Sequence, residues 1–181
     1  IGFLILTNFE AEVFNERDSK TLIVFDFDDT ISPTSWLLQQ LQASANQLKA
    51  SDEMQTAIVA AMAAELVKAA QELGNVIILT NATFGWVEKC STMLPSLWQV
   101  IKDIRVVSRP PDIDPMVFKI RRLAPLAAAY NNVISIGDGI YERDAARNLI
   151  HPNRWVKIIK LFESPSPTQL YKQLRMLKSS I

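Results

Sequence analysis

Thr21-Leu-Ile-Val-Phe-Asp-Phe-Asp-Asp-Thr30 is the stretch that decides the fold class. From Thr21 to Phe25 it is apolar without alternation, as expected of a strand covered on both faces. At Asp26 it turns abruptly acidic. Outward from it, short apolar runs recur at Val76–Leu79, Ile104–Val107, Val133–Ile136 and Trp155–Ile159, with helical patterns between them. Strands that alternate with helices predict an α/β fold, a three-layer sandwich around five mainly parallel strands.

The helical segments have readable ends. One helix is expected from Trp36 to Leu48, with Leu37, Leu41, Ala45 and Leu48 on one stripe. A second starts near Ser51, where Asp52 and Gln55 have capping-box spacing. It carries Met54, Ile58, Met62, Leu66 and Leu73 to a stop at Gly74-Asn75. Trp86, Val87, Cys90 and Leu94 predict a helix that Pro95 closes. Asp114-Pro115 reads as an N-cap and first helical residue, opening a helix that carries Lys119 and that Pro125 must kink or restart. Further helices are expected over Tyr141–Leu149 and Pro167–Leu177. Residues 1–181 read as a single domain, with 1–20 as an N-terminal arm and 31–50 as a short flap or helix insertion. The apolar run Ile1–Leu6 suits a strand or docked arm better than the remnant of a signal or anchor.

Composition narrows the function classes. The 181 residues carry 19 Lys and Arg against 19 Asp and Glu, so there is no net field to attract nucleic acid or an anionic membrane. Cys90 is the sole cysteine, which excludes a disulfide scaffold and fits a reducing, cytoplasmic setting. The uncharged stretch Thr30–Leu48 is long enough for a membrane span, but Ser, Gln, Asn and Pro run through it, so no span is expected.

Chemistry collects at the carboxyl ends of the expected strands, where open parallel sheets bind ligands. Asp26 and Asp28 follow the first strand, Thr80 and Asn81 the second, and Asp138 the fourth. Side chains of a strand alternate faces, so Asp26 and Asp28 are expected on the same side. Together with Asp138 they form a cluster of carboxylates that cannot all stay ionised without a cation, and hard oxygen ligands suit Mg²⁺. Taken singly, each feature has an ordinary reading: a turn for Asp26–Thr30 or Gly137–Gly139, a helix cap for Thr80-Asn81, a solvated surface lysine for Lys119. The order of all four along one chain is what carries weight.

In that order the chain resembles the haloacid dehalogenase (HAD) superfamily of phosphohydrolases. The four motifs of that family are matched by Asp26-Phe-Asp-Asp-Thr30, Leu79-Thr-Asn81, Lys119 on its helix, and Gly137-Asp-Gly-Ile-Tyr-Glu142. The resemblance implies a Rossmann-like fold and gives roles by position. Asp26 is implied as the nucleophile that forms an aspartyl-phosphate, and Asp28 as the acid and then base of the two steps. Thr80, with backbone amides near Asn81, is implied to hold phosphoryl oxygens, and Lys119 to neutralise charge between nucleophile and phosphate. Asp138 is implied to bind Mg²⁺ together with Asp26 and the carbonyl of Asp28. An aspartate at position 28 favours rapid hydrolysis of the intermediate, and so a phosphatase over a dehalogenase or a transport ATPase.

Two positions depart from the family pattern. Glu142 stands where many relatives carry an aspartate, with Asp144 two residues further on; either is open as a further metal contact. Arg121 and Arg122 compete with the preferred Lys119 as the cationic partner. Only residues 31–50 are available as a lid, so a small or absent cap is expected. Such an open site would admit a large phosphorylated substrate or need a partner subunit as its roof. Trp36, Leu37 and Trp86 are candidates for its walls, and equally for ordinary core positions. The rival reading is a phosphate- or metal-binding module of the same fold with little or no turnover. A receiver-type phospho-acceptor ranks lower, because no aspartate ends Val76–Leu79 or Ile104–Val107, and a P-loop enzyme is excluded because no Gly-rich loop precedes a Lys-Ser or Lys-Thr pair.

Overall fold

Val, Ile, Leu and Phe dominate the runs that become strands. In the computed structural model, which describes residues 4–7, 20–45 and 47–181, these runs assemble into one sheet. The five expected strands are present and parallel: β2 (Thr21–Phe25), β3 (Asn75–Thr80), β4 (Arg105–Ser108), β5 (Asn132–Gly137) and β6 (Trp155–Lys160). A further strand, β1 (Leu4–Thr7), pairs antiparallel with β6. The sheet therefore has six strands, and part of the N-terminal arm forms its edge. The rest of the arm, 1–3 and 8–19, lies outside the described residues.

Strand order is β1-β6-β5-β2-β3-β4. From β2 the chain steps outward to β3 and β4, then returns to the other side of β2 for β5 and β6. The order reverses between β2 and β5, which makes the crevice at their carboxyl ends the expected ligand position. Asp26 and Asp138, the residues that follow β2 and β5, flank it.

Seven helices complete the described chain: α1 (Thr34–Ala43), α2 (Ala50–Leu73), α3 (Phe84–Met93), α4 (Pro95–Ile101), α5 (Pro115–Ala127), α6 (Ile140–Arg147) and α7 (Pro167–Lys178). Alternation along the strands sorts them into two layers. Ile23, Phe25, Ile78, Ile134, Ile136 and Ile159 pack with residues of α2, α3, α4 and α7. Leu22, Val24, Ile77, Leu79, Val133, Val156 and Ile158 pack with Phe118, Leu123 and Ala127 of α5 and with Ala145 and Ala146 of α6. Every residue of β2 is buried, as its unbroken apolar run requires.

Several local expectations are corrected. α1 ends at Ala43, short of the expected Leu48. α2 starts after Lys49 with no side-chain cap, so the Asp52/Gln55 box does not form. Of its expected apolar residues, Leu66 is buried and Met62 and Leu73 pack against the core, but Met54 is 65% and Ile58 50% exposed; Val59, Ala60, Ala63, Val67 and Ala70 complete the buried face. Small side chains let α2 approach α4 and α7 closely, and a count of large apolar residues misses part of that face. Pro95 does end α3 but also opens α4, as its fixed φ and missing N–H allow at a first helical position. α5 continues past Pro125 to Ala127; the proline sits in the last turn, and the helix does not restart there.

Candidate active site

The chain leaves β2 by a tight turn. Asp26 N–H still bonds to Ile136 O, and then the amides of Thr30, Ile31 and Ser32 all converge on the carbonyl of Phe27. Phe27 is buried, and Asp28 is the one half-exposed residue of the segment 21–30. The side that Asp26 and Asp28 share is therefore set by the turn, since β2 itself ends at Phe25. Asp29 takes a positive φ of 52° to close the turn, a conformation aspartate tolerates better than most residues. Its carboxylate accepts from Ser35 N at 2.9 Å and from the Ser35 hydroxyl, which ties the turn to the start of α1.

Three of the acids predicted from the sequence meet over the crevice. Asp26, Asp138 and Glu142 each offer an oxygen within 4.8 Å of the others, and this cluster can hold a divalent metal ion. Lys119, 1% exposed, reaches them from α5: its Nζ lies 2.6 Å from Asp26 Oδ1 and 2.7 Å from Glu142 Oε1, and it also donates to the Leu79 carbonyl. Lys119 is thus the cationic partner, while Arg121 and Arg122 face solvent. Glu142 joins the cluster because it folds back over the turn before α6, its Oε2 accepting Gly139 N–H at 3.1 Å. A Cβ on Gly137 would meet Glu142 Cγ at 2.3 Å, so the backbone there must be glycine for the carboxylate to lie across it. Asp144 points elsewhere and pairs with Arg143 on the surface.

Burial and like charge dominate the electrostatics. Desolvation raises Asp26 well above the usual carboxylate range; the Lys119 ammonium opposes the rise and Glu142 adds to it. Asp138 is pushed up to about 7, first by burial, then by Glu142 and Asp29. Burial alone would lower Lys119, but its carboxylate partners Asp26 and Glu142 outweigh that and hold it protonated. One ammonium thus faces more negative charge than it can balance. That surplus, and an all-oxygen donor set, fit a hard divalent cation.

Asp28 lies apart from the metal cluster but in the same pocket. Its Oδ1 accepts from Thr34 Oγ1 at 2.7 Å and from Trp86 Nε1 at 3.1 Å. The pocket, about 440 Å³ and open to solvent, is lined by Asp26, Asp28, Asn81, Asp138 and Glu142, with Ile140 and Tyr141 at its side. Thr80 is fully buried and outside that lining, with its hydroxyl accepting Ala82 N–H at 3.0 Å. Asn81 reaches the pocket, and its side-chain oxygen is buried without a hydrogen-bond partner.

Sequence reasoning missed three supports of this site. Thr30 Oγ1 accepts Asp138 N–H at 3.1 Å, linking the two acidic loops. Lys160, at the end of β6, donates to the Asp138 carbonyl and pairs with Glu163 at 3.0 Å. Trp86 is legible from the sequence only as a candidate wall residue, not as a partner of Asp28. Thr30 stands inside the acidic motif and Lys160 ends a strand, so position is the available signal for both.

No protein-family model matches the chain, and no curated protein matches it. Among solved structures, the HAD domain of the effector protein Lem4 from Legionella pneumophila matches with a TM-score of 0.50 at 12% identity, covering 90% of this chain and 98% of that one. No helix among the described residues is long and apolar enough to cross a membrane. At so low an identity the likeness speaks for architecture: the chain has a Rossmann-like α/β fold of the HAD type with a minimal cap.

Proposed function

We propose that the chain is a Mg²⁺-dependent phosphatase that hydrolyses a phosphomonoester through an aspartyl-phosphate on Asp26. The observation that carries this reading is the buried Lys119 ammonium, held between Asp26 and Glu142 beside Asp138 at the sheet's switch point. Phosphoryl transfer needs mainly positioning and charge stabilisation, and this set of groups supplies both.

In the first step an Asp26 carboxylate oxygen attacks phosphorus while Asp28 gives its proton to the departing oxygen, so the alcohol leaves neutral. In the second, Asp28 takes a proton from water as that water attacks the phosphoryl group, and Asp26 is released as carboxylate. Lys119 lies against Asp26 and offsets the charge on the incoming phosphate. Mg²⁺, held by Asp26, Asp138 and Glu142 with the Asp28 carbonyl, would supply further compensation for phosphoryl charge. Asn81 and the amides beside it are the proposed oxygen contacts, with Thr80 behind them.

The pocket is open to solvent and no residue of α1 lines it, which supports a phosphorylated substrate that brings its own bulk, such as a protein. Open walls cannot bury the roughly 70–90% of a small ligand that tight sites enclose. The test is a screen of phosphometabolites and phosphoproteins with and without Mg²⁺, run beside Asp26→Asn and Asp138→Ala. Mg²⁺-dependent release of phosphate that both substitutions abolish is expected. A small metabolite turned over at kcat/KM of about 10⁵ M⁻¹s⁻¹ would overturn the large-substrate part. Phosphate release that survives Asp26→Asn would overturn the mechanism. Thr80 lies outside the pocket lining, which favours the second reading, a phosphate- or metal-binding module; single-turnover assays that show binding without phosphoenzyme would select it.

A further inference from the structure

Both hydrogen bonds to the Asp28 carboxylate fall on the same oxygen. Thr34, the first residue of α1, and Trp86, in the first turn of α3, approach Oδ1 from two different helices. The two donors differ in kind. A threonine hydroxyl can donate or accept, whereas an indole N–H can only donate. A carboxylate oxygen has two lone pairs, so an Oδ1 that accepts from both donors has none left for a proton, and the indole cannot turn round to accept one. The indole is itself fixed: its ring is partly buried against the core, with the Lys89 ammonium 5.9 Å from its centroid. Asp28 is meanwhile the half-exposed acid of its turn and lines the pocket.

We infer that Trp86 is a positioning residue: its indole N–H reserves Oδ1 of Asp28 as an acceptor, so the proton Asp28 exchanges with substrate and water is carried on Oδ2. This rests on the reading of Asp28 as the acid and base. It makes the start of α3, the helix that follows β3, part of the proton-transfer machinery without contact to substrate. It also links that machinery to α1, because Thr34 holds the same oxygen from there. In the first step the O–H bond on Oδ2 breaks and its proton joins the leaving oxygen as the P–O bond opens. In the second, Oδ2 takes the proton of the attacking water. Oδ1 keeps its two donors throughout.

Trp86→Phe keeps an aromatic ring and removes the N–H. Its kcat/KM should depend on the leaving group. For p-nitrophenyl phosphate, whose anion departs without a proton, the loss should be under about threefold; for an alkyl phosphate it should be roughly tenfold or more, a share of what general acid catalysis contributes. Breakdown of the phosphoenzyme, common to all substrates, should slow by one shared factor. A uniform loss across leaving groups, or none, would overturn the inference. Asp28→Asn in the same series separates the two levels. If it steepens the leaving-group dependence and Trp86→Phe does not, only the role of Trp86 fails. If Asp28→Asn leaves the dependence flat, or the wild-type chain hydrolyses no phosphomonoester, the acid–base reading fails and takes this inference with it. A readout independent of turnover is the Trp86 indole ¹H–¹⁵N resonance, assigned by its loss in Trp86→Phe. It should move in Asp28→Ala, and an unmoved resonance would also overturn the inference.

Discussion

Gly137 is where one missing methyl group decides the composition of the acidic cluster. Glu142 can lie over the turn only because position 137 has no side chain: a Cβ there would sit 2.3 Å from its Cγ and 2.7 Å from its Cβ. Gly137→Ala should push Glu142 away and lower Mg²⁺ affinity by roughly 10- to 100-fold, the range typical of disturbed support around a metal site. Asp144→Ala should leave affinity unchanged, because Asp144 is engaged with Arg143. Isothermal titration with Mg²⁺ checks both, and equal losses in the two variants would contradict the geometry. The same residues show what a sequence can reveal. Asp26 and Asp138 are legible because parallel strand ends gather polar side chains at one crevice, whereas Lys119, by itself an ordinary surface lysine, is placed there only by the family resemblance. Glu142 was a weaker reading, since its reach depends on a backbone fold-back that spacing does not encode. The contact between Trp86 and Asp28 joins residues 58 apart in the chain, and only the packing of α3 against the turn creates it.

Among the elements, α5 has the simplest role, which is to carry Lys119 into the crevice. Its start is well defined, with Asp114 accepting from Met116 N and Val117 N at 3.0 Å each and Pro115 pre-set for the first turn. Asp114→Ala should cost about 1 kcal/mol of stability, whereas Met54→Gln, on the exposed face of α2, should stay within about 0.5 kcal/mol. Urea denaturation midpoints compare them, and equal shifts would show that the cap does not matter. Cap residues made α5 legible from the sequence. The buried face of α2 is harder to read because Ala60, Ala63, Ala64 and Ala70 lie on it beside Val59, Leu66 and Val67, and alanine suits an exposed helix surface equally well. α4 was missed because a proline that ends one helix can begin the next.

At the scale of the whole molecule, the acidic crevice should link stability to pH. Asp138 is raised from 3.8 to about 7, and Asp26 also lies above its ordinary value. The folded chain therefore holds these protons more tightly than the unfolded chain does. The stability they contribute is complete below about pH 4 and is lost as pH rises toward 7 and beyond. A bound divalent cation replaces the protons and removes that loss. The metal-free protein should thus melt at lower temperature at pH 8 than at pH 5, and added Mg²⁺ should raise Tm more at pH 8. At a hundredfold excess over Kd the gain should be roughly 5–10 °C. Thermal scans across pH with and without Mg²⁺ check this, and a metal-induced shift that ignores pH would refute it. The strands that build the crevice were readable because burial on both faces leaves an unbroken apolar run; β1, a four-residue edge, carries no such signature beyond its own apolarity. That edge has a consequence of its own. Leu4–Thr7 occupies the hydrogen-bonding groups along one side of β6, from Lys157 to Lys160. Without it, a row of unsatisfied amides and carbonyls would offer a template for another chain to add a strand. Deleting residues 1–7 should convert a well-behaved solution into one whose sedimentation shows concentration-dependent self-association, and a truncated chain that stays monodisperse would mean that β6 protects its own edge.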